Sequence, residues 1–344
     1  MPARSRILFF FLWIWLLPSI LCARTEQLFY YVPGEDSWQS LLAHAQKISI
    51  LAPQVFRVNA EGQVTGAVEK EVRWLAAQYK IRLMPLLTNE NFAPGVAHAV
   101  LRDQKLRQRT ISESVRLCQE NNCWGLQLDF EGVLPEDAPF YTQFVQEAAQ
   151  AFHERHLRLS VAVISPLTAS GINAQSDQPR FGRFGVLAHP YQFQEIAEHV
   201  DFLSLMAYDH HGNGAMPGPI AGYPWVERSI QFLLLFVPRQ KLFLGMGFYA
   251  RQWCEKWVSE MGYPNVVRLL GKAQATLQWD EQQRAPRLEF DGPNCRSVVW
   301  FENRRSLREK LRLLEKYRLA GFSAWRLGQE DPEFWNDLPG TGRD

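Results

Sequence analysis

Neither sign of charge prevails in this chain. Thirty-seven Lys and Arg offset 36 Asp and Glu, leaving a formal net charge of +1. No global field favours nucleic acid or an anionic membrane surface as a partner, and neither is expected. Cysteine is scarce, at five residues, and no CxxC pair occurs, which argues against a zinc site. Internal repeats are absent, which excludes a repeat array. Low-complexity tracts are absent too. What is abundant is aromatic: 12 Trp, 22 Phe and 10 Tyr in 344 residues that are 47% hydrophobic. That is enough apolar material for one large domain or two modest ones. Many aromatics will be core, but such a surplus also suits stacking against the apolar faces of sugars.

The N-terminus reads as a targeting segment. Arg4 and Arg6 precede an apolar run from Ile7 to Leu17, and Pro18, Ser19 and Cys22-Ala23 resemble a cleavage region. The run is short for a spanning helix, which needs about 20 residues. Residues 1–23 are therefore expected to be a secretory signal, with an uncleaved anchor as the alternative and the only route to a membrane. The expected location is outside the cell or in its envelope, periplasm or wall. Four cysteines then remain in residues 24–344. Export permits disulfides. Of three possible pairings, Cys254–Cys295 and Cys118–Cys123 are expected, because each pair flanks one segment, with buried free thiols as the alternative.

Strand-like runs at 28–32, 54–58, 81–87, 125–130, 157–164, 202–207, 241–247 and 321–327 alternate with helical patterns. Those patterns fall at 37–46, 68–79, 109–120, 138–153, 191–199, 225–236 and 306–317. Eight strands alternating with helices predict an α/β fold, a (β/α)8 TIM barrel. Several strands are almost continuously apolar, as strands covered on both faces should be. Two stretches interrupt the rhythm. Residues 166–190 form a long loop after strand five, a candidate rim of the cleft. Residues 251–303 contain strand-like pieces and read as a small α+β insertion between strands seven and eight.

The fourth strand, Trp124-Gly-Leu-Gln-Leu-Asp-Phe-Glu131, is the most informative stretch. Leu126, Leu128 and Phe130 share one face; Gln127, Asp129 and Glu131 share the other, spaced roughly 6–7 Å apart. Polar groups in line on an apolar strand are expensive to bury unless they are fully hydrogen-bonded or functional. Glu131 ends the strand before Gly132, at the end where parallel barrels place active sites. Strand six ends Met206-Ala207-Tyr208-Asp209, strand seven runs into Tyr249 and Arg251, and strand eight ends at Trp325. Asn89 closes strand three. A barrel gathers these ends at one rim around Glu131. Two near carboxyls push their pKa values apart, so one can stay protonated near neutral pH. Glu131 is the candidate acid. No second carboxylate faces it across a sugar, which points to substrate-assisted glycoside hydrolysis rather than the two-carboxylate scheme. Asp129 would then orient the substrate's acetamido N–H and Tyr208 would hold its oxygen. The adjacent His210 and His211 are read as a solvated loop, and the basic run from Arg304 to Lys316 as the solvated face of an amphipathic helix.

Taken together, these motifs resemble the family 18 glycoside hydrolases, the chitinase-like enzymes. The family's strand-four signature DxxDxDxE is matched at its last three polar positions by Gln127, Asp129 and Glu131, with Trp124 in place of the first Asp. Met206, Tyr208 and Asp209 match its strand-six Met-x-Tyr-Asp, and Trp325 matches its strand-eight Trp. Within the family the chain is similar to the spore-cortex-lytic N-acetylglucosaminidases, through Gln127, Phe130, Pro85-Leu-Leu-Thr-Asn89, Val299-Trp-Phe-Glu-Asn303 and Trp325-Arg-Leu-Gly-Gln-Glu-Asp331. Those relatives often carry LysM modules. Tyr31-Val-Pro-Gly-Glu-Asp-Ser opens like one but runs straight into strand residues, so none is read here.

The expected protein is a monomeric enzyme with neither metal nor organic cofactor, secreted on the strength of its N-terminal segment. It would cleave β-1,4 bonds in N-acetylglucosamine-containing polysaccharide or oligosaccharide, with peptidoglycan as first choice and chitin oligosaccharide as second. Catalysis is assigned to Glu131, Asp129, Tyr208 and Gln127, and sugar contacts to Trp325, Asp209, Met206, Tyr249 and Asn89. Gln127 departs from the family's Asp. An amide cannot ionise but can donate a hydrogen bond to Asp129 and so keep it charged. The alternative is a chitinase-like lectin on the same scaffold that binds glycan without turnover. The presence of Glu131, Asp129 and Tyr208 together favours the enzyme.

Overall fold

A computed structural model describes residues 25–167 and 190–339, apart from 213–214, 255–256, 273–274 and 293–294. The segment expected to be a secretory signal, residues 1–23, and nearly all of the 166–190 stretch lie outside the described residues. Eight parallel strands close on themselves: β1 (Glu26–Tyr31), β2 (Ile50–Val58), β3 (Leu86–Asn89), β4 (Gly125–Asp129), β5 (Arg158–Ile164), β6 (Phe202–Met206), β7 (Leu242–Gly247) and, after the insertion, β13 (Gly321–Trp325). β1 pairs with both β2 and β13, which completes the ring. The structure is thus the closed eight-stranded parallel barrel that the alternating pattern predicts.

Alternation along each strand sorts two apolar layers. Inside the barrel lie Leu28, Tyr30, Ile50, Ala52, Met84, Leu86, Phe202 and Phe243. Outside, Leu126 and Leu128 of β4 and Phe130 just past it join the larger cluster that the surrounding helices cover. These are α1 (Glu35–His44), α2 (Lys70–Gln78), α3 (Pro94–Arg102), α4 (Gln104–Glu120), α5 (Ala138–His153), α6 (Phe193–His199), α7 (Tyr223–Leu233) and, beyond the insertion, α9 (Arg304–Tyr317). α3 was not apparent from the sequence pattern. It is short and begins at Pro94, which suits a first helical turn. Asp103 separates it from α4 and caps α4 by accepting from the N–H groups of Lys105 and Leu106.

The insertion is a five-stranded antiparallel sheet made of β8 (Tyr249–Cys254), β9 (Trp257–Gly262), β10 (Thr276–Asp280), β11 (Ala285–Asp291) and β12 (Arg296–Phe301). Its helix α8 (Tyr263–Lys272) contributes Val266 to a small core with Ala250, Leu288, Val299 and Phe301. A disulfide between Cys254 and Cys295 joins the end of β8 to the start of β12, with Cα atoms 5.9 Å apart.

The expected Cys118–Cys123 disulfide is not formed; both are buried free thiols. They are brought together by the way α4 stops. Asn122 is left-handed at φ 53°, Cys123 N–H donates to Cys118 O at 2.9 Å, and Asn122 N–H donates to Gln119 O at 3.2 Å. This Schellman stop sets the two flanking side chains against each other. Cys118 Sγ points at Gly125 O, 3.8 Å away. The Cys123 thiol and burial hold the Cys118 thiol well above its usual pKa, which disfavours the thiolate that exchange chemistry needs.

Where the insertion returns to the barrel, a buried ion pair locks the junction. Lys310 Nζ on α9 donates to both oxygens of Glu302, at 2.8 and 2.6 Å, and Ser306 Oγ adds a third bond at 2.6 Å. Both partners are almost fully buried, at 2% and 1% side-chain exposure. Removing one partner of such a pair strands a buried charge. Lys310→Met should therefore lower unfolding stability by about 3–5 kcal/mol, measured by urea denaturation; a change under about 1 kcal/mol would mean that water reaches Glu302.

Candidate active site

The C-terminal rim of the barrel collects the expected residues. Asp129 is the last residue of β4, Asn89 of β3, Met206 of β6 and Trp325 of β13. Gln127 and Asp129 point inward and are buried, and Glu131 follows two residues later, half-buried at the mouth. Tyr208 is buried just past β6, its ring edge-on to Tyr249 at 6.3 Å. Trp325 is half-buried, with its ring 5.3 Å from that of Tyr30, and closes the floor of the site. Met206 is half-buried and packs against the apolar layer.

Gln127 does not act as the sequence led us to expect. Its Oε1 accepts from Tyr30 OH at 2.8 Å, and its Nε2 donates to Ser160 Oγ at 3.0 Å. Ser204 Oγ lies 3.1 Å from the same Tyr30 oxygen and also bonds Ser323 Oγ. The amide is thus consumed by a polar chain running across the barrel and has no bond to Asp129. Asp129 Oδ1 is buried without a hydrogen-bond partner. Burial, and then the charge of Glu131, push the Asp129 carboxyl up to about 8. Burial also raises Glu131, helped by Asp209. Two adjoining carboxyls that both resist ionisation retain a proton into the neutral range.

Two expected sugar contacts take other roles. Tyr249 is fully buried, and its hydroxyl donates to Asp209 Oδ1 at 2.5 Å. Arg251 Nη2 donates to that same oxygen at 2.6 Å and to Glu260 at 3.3 Å. The insertion therefore holds Asp209, whose side chain stays half exposed to the cleft. Asn89 is wholly buried and bonds only to backbone. Its Oδ1 accepts from Glu131 N–H at 3.0 Å, and its Nδ2 donates to Glu131 O and Ala93 O, each at 3.0 Å. His210 is half-buried rather than fully solvated. It stacks on Trp225 at 4.6 Å, and burial lowers its pKa to about 3.

The sequence reading missed Tyr30, Ser160, Ser204, Ser323 and Tyr191. The serines carried a signal, since each breaks an apolar strand at an inward position. Tyr191 carried none; its hydroxyl donates to Phe130 O at 3.3 Å, beside Glu131. Among the described residues, no group of three His, Cys, Asp or Glu could hold a metal ion.

An acid at the mouth of a parallel barrel, a second carboxyl beneath it, a buried phenol and an indole floor define a glycosidase scaffold. The chain matches the model of Glycosyl hydrolases family 18 over residues 44–330, and it belongs to that family. It is similar to the "Uncharacterized glycosylase YvbX" of Bacillus subtilis, at 25% identity over 94% of this chain and 98% of the other. It is 28% identical to the cortical fragment-lytic enzyme of the same organism, over 88% of this chain and 70% of that enzyme. The crystal structure of the Bacillus megaterium spore cortex-lytic enzyme SleL shares the fold. Its TM-score is 0.78 at 21% identity, covering 91% of this chain and 72% of that one.

The raised carboxyl has a consequence for stability. Unfolded, Asp129 ionises near 3.8; folded, it holds its proton to about 8. Between those pH values unfolding releases a proton, so stability present at pH 4 drains away as pH rises towards 8. Asp129→Asn should raise the melting temperature at pH 8, by the equivalent of roughly a few kcal/mol, and change little at pH 4. Calorimetry at the two pH values checks this; an equal effect at both would contradict it.

Proposed function

We propose that this protein is a retaining, substrate-assisted glycosidase acting on β-1,4-linked glycans that contain N-acetylglucosamine. One observation carries the proposal: the inward carboxyl pair of Asp129 and Glu131 at the barrel rim, which keeps a proton near neutral pH. Glu131, at the mouth, protonates the departing glycosidic oxygen. The substrate's own acetamido oxygen attacks the anomeric carbon, and water later opens the ring that forms. Asp129 accepts the acetamido N–H as its charge develops. Tyr208 donates to the attacking oxygen, and Trp325 supports the sugar's apolar face. Asp209, held by Tyr249 and Arg251, lies at the cleft edge within electrostatic reach of Glu131. Peptidoglycan is the preferred substrate, by likeness to the cortical fragment-lytic enzyme, and chitin oligosaccharide is the second. Residues 1–23 are taken as a secretion signal, which would deliver the enzyme to the wall.

A non-catalytic glycan-binding protein is the second reading. What favours it is that Gln127 leaves Asp129 without a donor, so the charge needed beside the acetamido group forms only as pH rises.

Product analysis separates the two. The purified chain is incubated with peptidoglycan and with chitin oligomers, with Glu131→Gln as control. The enzyme should release fragments ending in reducing N-acetylglucosamine, and the variant should lose about 100-fold or more of that rate while still binding glycan. Binding without release by either form would establish the lectin, and turnover of cellulose oligomers, which lack the acetamido group, would refute the mechanism. The pair loses its last proton near the Asp129 value of about 8. The kcat/KM profile should therefore fall on its alkaline side around there, and a flat profile from pH 7 to 9 would count against the Asp129–Glu131 pair as the source of the proton.

A further inference from the structure

We infer that Asn89 is a positioning residue that fixes the backbone of Glu131 and thereby aims the carboxyl of that acid. The inference rests on the proposed glycosidase function and names a residue on which its acid step depends. Residue pairing between β3 and β4 runs Leu86 to Gln127, Leu87 to Leu128 and Thr88 to Asp129, and there it stops. Glu131 lies two residues further on, past the end of its strand, where no neighbouring peptide continues the ladder. The Asn89 side chain stands in for the missing peptide. It accepts from Glu131 N–H and donates to Glu131 O, each at 3.0 Å, so one amide meets both polar groups of one residue.

The second amide hydrogen goes to Ala93 O at 3.0 Å, tying the loop after β3 to the same point. Only one orientation of the amide satisfies an N–H and two carbonyls together, so the side chain has a single solution. That loop presses on the residue after the acid. Gly132 is left-handed at φ 66°, and a Cβ there would meet Pro94 Cγ at 3.0 Å and Phe92 O at 3.2 Å. On the other side, Tyr191 OH holds Phe130 O at 3.3 Å. Glu131 is thus gripped through its main chain from two sides, while its carboxyl remains free for the cleft. Asp in place of Asn89 keeps the acceptor but loses the amide donors. Ala loses all three bonds, and Gln is one methylene too long.

A misaimed acid matters in proportion to how much the leaving group needs protonation. The natural sugar alcohol needs it strongly; a nitrophenolate scarcely does. Wild type, Asn89→Ala and Asn89→Asp are therefore compared on chitotetraose and on 4-nitrophenyl chitobioside. The expected result is a kcat on chitotetraose lower by about 100-fold in Asn89→Ala, with KM unchanged, and a far smaller loss on the nitrophenyl substrate. Asn89→Asp, nearly the same size, should show the same split to a lesser degree. Equal losses on both substrates, or a rise in KM alone, would overturn the inference while leaving the glycosidase reading intact. Wild type inactive on chitotetraose, the nitrophenyl glycoside and peptidoglycan alike would overturn that reading and this inference with it. Amide hydrogen exchange on the unaltered chain gives a check that does not depend on a variant folding. Glu131 N–H should be protected although it is past the strand, and exchange at the rate of a free loop would overturn the inference.

Discussion

Asp129 is buried in the barrel's mouth with one carboxyl oxygen that no donor reaches, and most of the site follows from that. A carboxylate loses its hydration there and gains nothing in return, so it keeps its proton. Glu131 two residues away adds repulsion in the same direction. The potential donor nearest in sequence, Gln127, is committed to Tyr30 and Ser160. That commitment is itself forced. An amide in the barrel lumen must satisfy both ends or incur a desolvation cost of a few kcal/mol, and the serines of β5, β6 and β13 with the phenol of β1 are what the lumen offers. Neutral groups satisfy one another in the interior, and the charge problem is displaced upward to the rim.

At the rim the barrel and the insertion divide the work. Asp129 and Glu131 are held by β4 and its neighbours, whereas Asp209 is held from above by Tyr249 and Arg251 of β8. Asp209 raises the Glu131 carboxyl in turn, so the small sheet influences the acid without touching it. The Glu302–Lys310 pair ties the end of the insertion to α9 of the barrel, and the disulfide closes the far end of the same two strands within the insertion.

Much of this was legible in the residues. The period-two pattern of 124–131 placed three polar groups on one face, and strand-end positions placed Tyr208, Asp209 and Trp325 around them. Eight strands emerged from alternation, six of them to within two residues at each boundary; the second begins four residues before the run at 54–58, and the third lies at Leu86–Asn89 rather than 81–87. What was not legible depends on distances across the barrel or on backbone partners. Nothing local shows that Gln127 finds Tyr30, 97 residues away, rather than Asp129, two residues away. Asn89 and Tyr249 were placed correctly at the rim but turned away from the cleft, because a side chain's hydrogen-bond partner is not written in its position. The cysteines illustrate the converse. Spacing brought Cys118 and Cys123 together, yet closeness arises from a helix stop that serves a pair of thiols as well as a bond.

The insertion leaves the barrel and rejoins it at one place. Ala250 pairs with Phe301, and Glu302 N–H reaches back to Tyr249 O at 3.3 Å, so entry and exit stand side by side. β7 and β13 pair directly with each other beneath that point, with no contribution from the inserted sheet. The barrel's connectivity is therefore indifferent to what the two ends enclose. The ring's registers do not run through the segment, which docks on the barrel from outside, through the Tyr223 N–H to Gln283 O bond, the Tyr263 N–H to Gln329 O bond and the Arg284–Glu309 ion pair. Part of the rim is therefore built by a segment outside the ring's hydrogen-bond ladder, and it is that segment which supplies the hydroxyl and the guanidinium over Asp209.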